Sequence, residues 1–133
     1  VPILETIREG SQQRQVERVV VDGTAGTLVR KTFDSGRSVF GGALDNLLVD
    51  VKALENFQIL DGRPLSDTGF THYETTLERG DWKIKVVTDT RVWSEDTPSD
   101  GPVFRYTADI HGFVGDEPFE ENHVEGTIPR RWV

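Results

Sequence analysis

The residues able to carry chemistry are few, and their spacing is unhelpful to most reactions. Among the chain's serines are those in EGSQQ, DSGRS and PLSDT. A hydrolase nucleophile usually sits in G-x-S-x-G, on a strained turn between a strand and a helix, and none of the three fits. Neither glycine-rich phosphate-binding pattern, G-x-G-x-x-G or G-x-x-x-x-G-K-[ST], is present. With no cysteine there is no thiolate nucleophile or thiolate zinc site. The histidines are His72, His111 and His123. His72 and Glu74 stand two apart, on one face of a predicted strand, a pairing able to ligate a metal or to serve as acid and base. A half-buried polar pair on a sheet is the commoner use of such residues. His111 and His123 each stand alone on predicted strands.

Asp116, Glu117, Glu120, Glu121 and Glu125 crowd GDEPFEENHVE, but the D-x-[DN]-x-[DN]-G spacing of a calcium loop is missing. A solvated acidic turn and strand is the reading. Arg79-Gly80-Asp81 runs straight into Trp82, where a strand begins, and reads as a turn. No catalytic residue, metal or cofactor is expected from these motifs.

The elements that would position these residues are strands. From Gln15 the chain alternates short Val/Thr/Phe-rich runs with turn signals about every ten residues, the pattern of an all-β sandwich or barrel. DGTAG predicts a hairpin with a loop longer than two residues, and DSGR at 34–37 a second turn. Residues 47–60 are expected to be strand at both ends with a break near 53–56. DGRPLSDTG and SEDTPSDGP read as loops. The segment 1–15 is expected to be an arm or linker, and 16–133 a single antiparallel β-sandwich, jelly-roll-like, or alternatively a partly closed barrel.

Net charge is -8, from 15 basic and 23 acidic residues, which disfavours a nucleic-acid partner. No apolar run approaches the ~20 residues of a membrane span, so no membrane partner is expected. The start, VPILETIREG, has no basic run ahead of an apolar one, and no secretory leader is expected in it. A cytoplasmic protein is the expectation.

Period two sorts the long strand WKIKVVTDTRVW into two faces. Trp82, Ile84, Val86, Thr88, Thr90 and Val92 form the expected core face, with Trp82 in a packed interior. Lys83, Lys85, Val87, Asp89, Arg91 and Trp93 form the outer face. Phe104, Tyr106, Ala108 and Ile110 similarly point inward from the next strand. Trp93 and Arg91, with Trp132 from the tail, match the composition of protein contact surfaces and form a candidate interface.

Five motifs in order carry a resemblance: Arg63-Pro64-Leu65-Ser66, Arg79-Gly80-Asp81-Trp82, Thr88-Asp89-Thr90-Arg91, Val114-Gly115-Asp116 and Ile128-Pro129-Arg130. Together with LETIREGSQQRQVERVVVDGTAG, they make nearly the whole chain resemble the C-terminal region of cocaine-esterase-like serine hydrolases, the group that includes the X-prolyl dipeptidyl peptidases. Arg63 stands where an acid is common in that group, and VGD replaces EGD. The resemblance implies a β-sandwich packed on an α/β-hydrolase domain that holds the Ser-His-Asp triad, so no catalytic residue carries over to this chain. The implied partner is a hydrolase domain or subunit, or a homo-oligomer. Two rival readings are a stand-alone small-ligand-binding β protein and a small enzyme using His72 and Glu74.

Overall fold

The computed structural model describes residues 4–41 and 46–130. Its eight strands are β1 (Leu4–Arg8), β2 (Ser11–Val21), β3 (Thr24–Phe40), β4 (Leu47–Leu60), β5 (Arg63–Arg79), β6 (Trp82–Thr97), β7 (Gly101–Val114) and β8 (Glu117–Pro129). All lie in one antiparallel sheet of order β1-β3-β4-β5-β6-β7-β8, with β2 also paired to β3. The all-β, antiparallel expectation therefore holds. The pairing is a meander between consecutive strands from β2 onward, and the sheet is not closed into a barrel.

The strands are longer than the turn signals predict. Residues 47–60 form one unbroken strand, because Ala53–Asn56 pair in continuous register with Phe33–Arg30 on one side and Tyr73–Phe70 on the other. RPLSDTG belongs to β5, and only Asp61-Gly62 turns the chain. Pro64 is tolerated because it sits at the second residue of the strand, before the regular β4 ladder. SEDT likewise continues β6, where Ser94–Thr97 pair with Phe104–Gly101. The first hairpin is tighter than expected: Val21 pairs with Thr24, and Asp22 and Gly23 turn the chain with φ of 49° and 80°. Positive φ at both central residues is the two-residue turn that matches strand twist, for which Asp-Gly is suited.

DSGR is a bulge inside β3 rather than a turn. Register shifts between Asp34 and Arg37, and Gly36 has φ 74°. Asp34 accepts a hydrogen bond from the Gly36 amide at 2.9 Å, and the Ser35 hydroxyl accepts one from the Val51 amide at 2.8 Å. The bulge is where β3 changes its edge partner. Before it, residues 24–34 pair with β2; after it, residues 37–40 pair with β1. The expected N-terminal arm is thus partly sheet, since β2 leaves the second half of β3 open and Leu4–Arg8 fills it. Arg8 donates to both Asp34 oxygens, at 2.7 and 2.9 Å, and reaches Asp50 at 3.3 Å. That hydrogen bond from Arg8, then the Gly36 amide, hold the Asp34 carboxyl down to about 2.

Directly paired residues share a face, so the registers assign every strand position. The face carrying Trp82, Ile84, Val86 and Val92 continues through Leu77 and Tyr73 on β5, Val51, Ala53 and Phe57 on β4, and Val29 and Phe33 on β3. The two faces of the long strand are as the alternation predicts. Burial is not: the buried apolar residues among those described are Ala53 and Val103, and Trp82 is 41% exposed. Trp82 begins β6 beside the Gly80-Asp81 turn, and among the described residues no second layer lies over it. No described helix is long and apolar enough to cross a membrane.

Candidate functional site

Among the described residues fifteen large apolar side chains are exposed, and twelve lie on the Trp82 face: Val16 and Val20 of β2, Phe33 of β3, Phe57 and Ile59 of β4, Tyr73 of β5, Trp82, Val86 and Val92 of β6, Val114 of β7, and Val124 and Ile128 of β8. The patch crosses the sheet from one edge strand to the other. The chain exposes 9161 Å². A compact monomer of 15.0 kDa would expose about 7,000 Å². The excess of roughly 2,000 Å² exceeds the ~800 Å² that one partner contributes to a standard interface. A groove of about 370 Å³ indents this face among Val29, Phe57, Ile59, Asp67, Gly69 and Val92. It exists because Gly69 has no side chain; the Phe57 ring lies 3.2 Å from where a Cβ would stand.

The opposite face is polar, and it holds all three histidines. Register aligns His72, Asp89, Asp109 and His123 in one row across β5, β6, β7 and β8. His72 Nδ1 lies 2.6 Å from Asp89 Oδ1, and His123 Nδ1 lies 2.6 Å from Asp109 Oδ1. Two like charges directly opposite each other destabilise a ladder; here each carboxylate has an imidazole on its far side. The expected His72–Glu74 pair is looser, with Nε2 to Oε1 at 3.7 Å, and Glu74 is nearer Lys85, at 3.3 Å. Asp89 is thus the partner that the spacing rule missed, because it comes from the neighbouring strand. His123 also meets Glu125 at 3.1 Å, and its pKa is raised by the hydrogen bond to Asp109 first and that to Glu125 second. His111 lies 3.3 Å from Glu121. Neither histidine stands alone as the sequence suggests. Among the described residues no group of three or more His, Cys, Asp or Glu is arranged to hold a metal ion.

Trp93 and Arg91 lie on this polar face, as the alternation predicts. Trp93 is half-buried between Thr68 and Arg105, and the Arg91 guanidinium stacks over Phe70 at 4.8 Å. Trp132 lies outside the described residues. The acidic run falls on β8, where Glu117, Glu120, Glu121 and Glu125 are exposed on an edge strand. Charges there guard an open edge against pairing with other chains.

Arg130, just past β8, was not singled out by its type. Its side chain is 6% exposed. Nη1 donates to the Pro64 carbonyl at 2.8 Å and to Ser94 Oγ at 3.1 Å, and lies 3.4 Å from Asp67 Oδ1. The guanidinium also sits 5.2 Å from the Phe104 ring. One side chain thereby ties the C-terminal end of the sheet to β5, β6 and β7.

The site as a whole is an amphipathic sheet: an uncovered apolar face behind a face of cross-strand ion pairs. Comparison of the chain with protein-family models, curated proteins and solved structures finds no match.

Proposed function

We propose that the chain is a non-catalytic β domain or subunit that supports an α/β-hydrolase partner of the serine esterase or peptidase kind, and that it docks through the apolar face. The observation that carries this reading is the concentration of twelve exposed large apolar side chains on one face. A sheet hydrophobic on one face needs a second layer, and a contiguous exposed apolar patch marks an interaction surface. The choice of partner rests on the resemblance in motif order to cocaine-esterase-like hydrolases. In this reading the contact surface is the apolar face, and Trp93 and Arg91 stay open on the other side.

The test uses the catalytic domain of a cocaine-esterase-like hydrolase cut before its C-terminal β domain. Adding this chain is expected to give a one-to-one complex by sedimentation and to raise the melting temperature of that domain. Phe57→Lys and Val92→Asp abolish the complex, while Lys85→Glu on the polar face leaves it intact. A folded chain that does not associate, or that associates equally after Phe57→Lys and Val92→Asp, refutes the proposal. A stable dimer of this chain through the same residues would mean that a second copy is the cover.

A further inference from the structure

The polar face has its own concavity, lined by Leu28, Asn56, Gln58, Phe70, Arg91 and Trp93, with a volume of about 450 Å³. That is within the ~300–1,000 Å³ of small-molecule sites. Thr68, Gly69 and Val92 line both this concavity and the groove of the apolar face, so the two lie back to back across the sheet.

Its chemistry differs from the rest of the surface. The chain has 23 acidic residues against 15 basic ones, yet none of the lining residues is acidic and the one charged side chain among them is Arg91. Four other cations on this face are matched to acids, Lys85 with Glu74, Lys83 and Arg37 with Glu78, and Arg105 with Glu95, while Arg30 reaches Asn56 instead. Arg91 makes no ion pair among the described residues; its guanidinium lies on Phe70 instead. A ring beneath the guanidinium fixes the plane of its donor fork and leaves the fork's edge free for a two-point contact with a carboxylate. Asn56 adds a second donor. Arg30 Nε donates to its Oδ1 at 3.3 Å, which leaves the amide Nδ2 for a ligand. Trp93, Phe70 and Leu28 supply apolar wall.

We infer that this groove binds a small organic carboxylate with an aromatic or apolar body, the carboxylate on Arg91 and Asn56 and the body against Trp93 and Leu28. The site is independent of the docking face, since it opens on the other side of the sheet, so its test needs no hydrolase partner.

The experiment titrates the chain with phenylacetate and, as a neutral analogue of the same shape, 2-phenylacetamide, by isothermal calorimetry and tryptophan fluorescence. Phenylacetate is expected to saturate and to bind about tenfold or more tighter than the amide, the size of one charge-assisted contact. Arg91→Gln removes that difference; Arg91→Lys keeps part of it, since it keeps the charge and loses the fork. Trp93→Ala weakens both probes. Arg14→Gln, on the edge strand β2, changes neither, which separates the groove from net charge. Arg91 is exposed, and unchanged circular dichroism confirms that its variants fold. Equal affinity for acid and amide, undiminished binding by Arg91→Gln, or no saturable binding to the parent overturns the inference.

Discussion

Arg130→Ala is the substitution whose cost the structure allows to be worked out most directly. The side chain is nearly buried, and three acceptors crowd one nitrogen, so their contributions do not add. The shortest bond, 2.8 Å to the Pro64 carbonyl, is charge-assisted and contributes about 2 kcal/mol. The contact with Phe104 adds about 0.5–1 kcal/mol. The side chain of Asp67, 33% exposed, can turn to water once its partner is gone, so the larger penalty of stranding a buried charge does not apply. The expected loss is about 3 kcal/mol, or roughly 10 °C in melting temperature for a domain of this size. Arg130→Lys, which keeps the charge and loses the planar stack, should lose about half of that. Thermal and urea unfolding followed by far-ultraviolet circular dichroism measures the total, and amide exchange at Gly126–Ile128 and Leu65–Asp67 locates it. Arg130→Ala melting within about 2 °C of the parent, or unchanged exchange at both places, would refute the view that this side chain ties the strand ends together.

Gly36→Ala is expected to destabilise severely, because a Cβ there would stand 2.1 Å from the Arg8 carbonyl oxygen and φ is 74°; loss of amide-exchange protection in Leu4–Arg8 is the readout, and retained protection contradicts it. Trp82→Ala should cost about 1–2 kcal/mol, less than truncation in a packed interior, since the ring is 41% exposed and an Arg79 guanidinium lies 6.0 Å from it; a loss above ~4 kcal/mol in chemical denaturation would contradict the open face. The His123 pKa is raised in the folded state, so protonated His123 stabilises the fold fully below its ordinary 6.5, and that contribution fades as pH rises through the raised value. Stability measured from pH 5.5 to 9 should therefore fall more in the parent than in His123→Asn, and identical profiles would remove His123 from the row's pH response.

Strand type and facing were legible in the sequence because both depend on local alternation. Trp82 to Val92 and Phe104 to Ile110 sort onto the faces that the period of two assigns. Strand length was not legible at SEDT, held extended by pairing with β7, or at RPLSDTG, which is paired at Arg63, Thr68 and Gly69 and tied to the Leu60 amide through the Ser66 hydroxyl. The same limit applies to the candidate site. His72 and Glu74 are close in sequence and were seen; Asp89, Asp109 and His123 meet only through register. Arg91 and Trp93 were seen as a pair, but the ring of Phe70 beneath the guanidinium comes from β5. DSGR carries turn residues because a bulge makes the same demand for positive φ that a turn does, and residue type alone does not tell them apart.

The meander order has a kinetic consequence. From β2 to β8 every pairing joins consecutive strands, so each hairpin needs only a short loop to close and can template the next. Local pairing of this kind lowers the entropic barrier that slows most β proteins. The exception is β1, which must wait for the far half of β3 and for the bulge at Ser35-Gly36. Folding should therefore run as a zipper with a late step at one edge, and amide protons of Leu4–Arg8 should gain protection after those of β4 to β7.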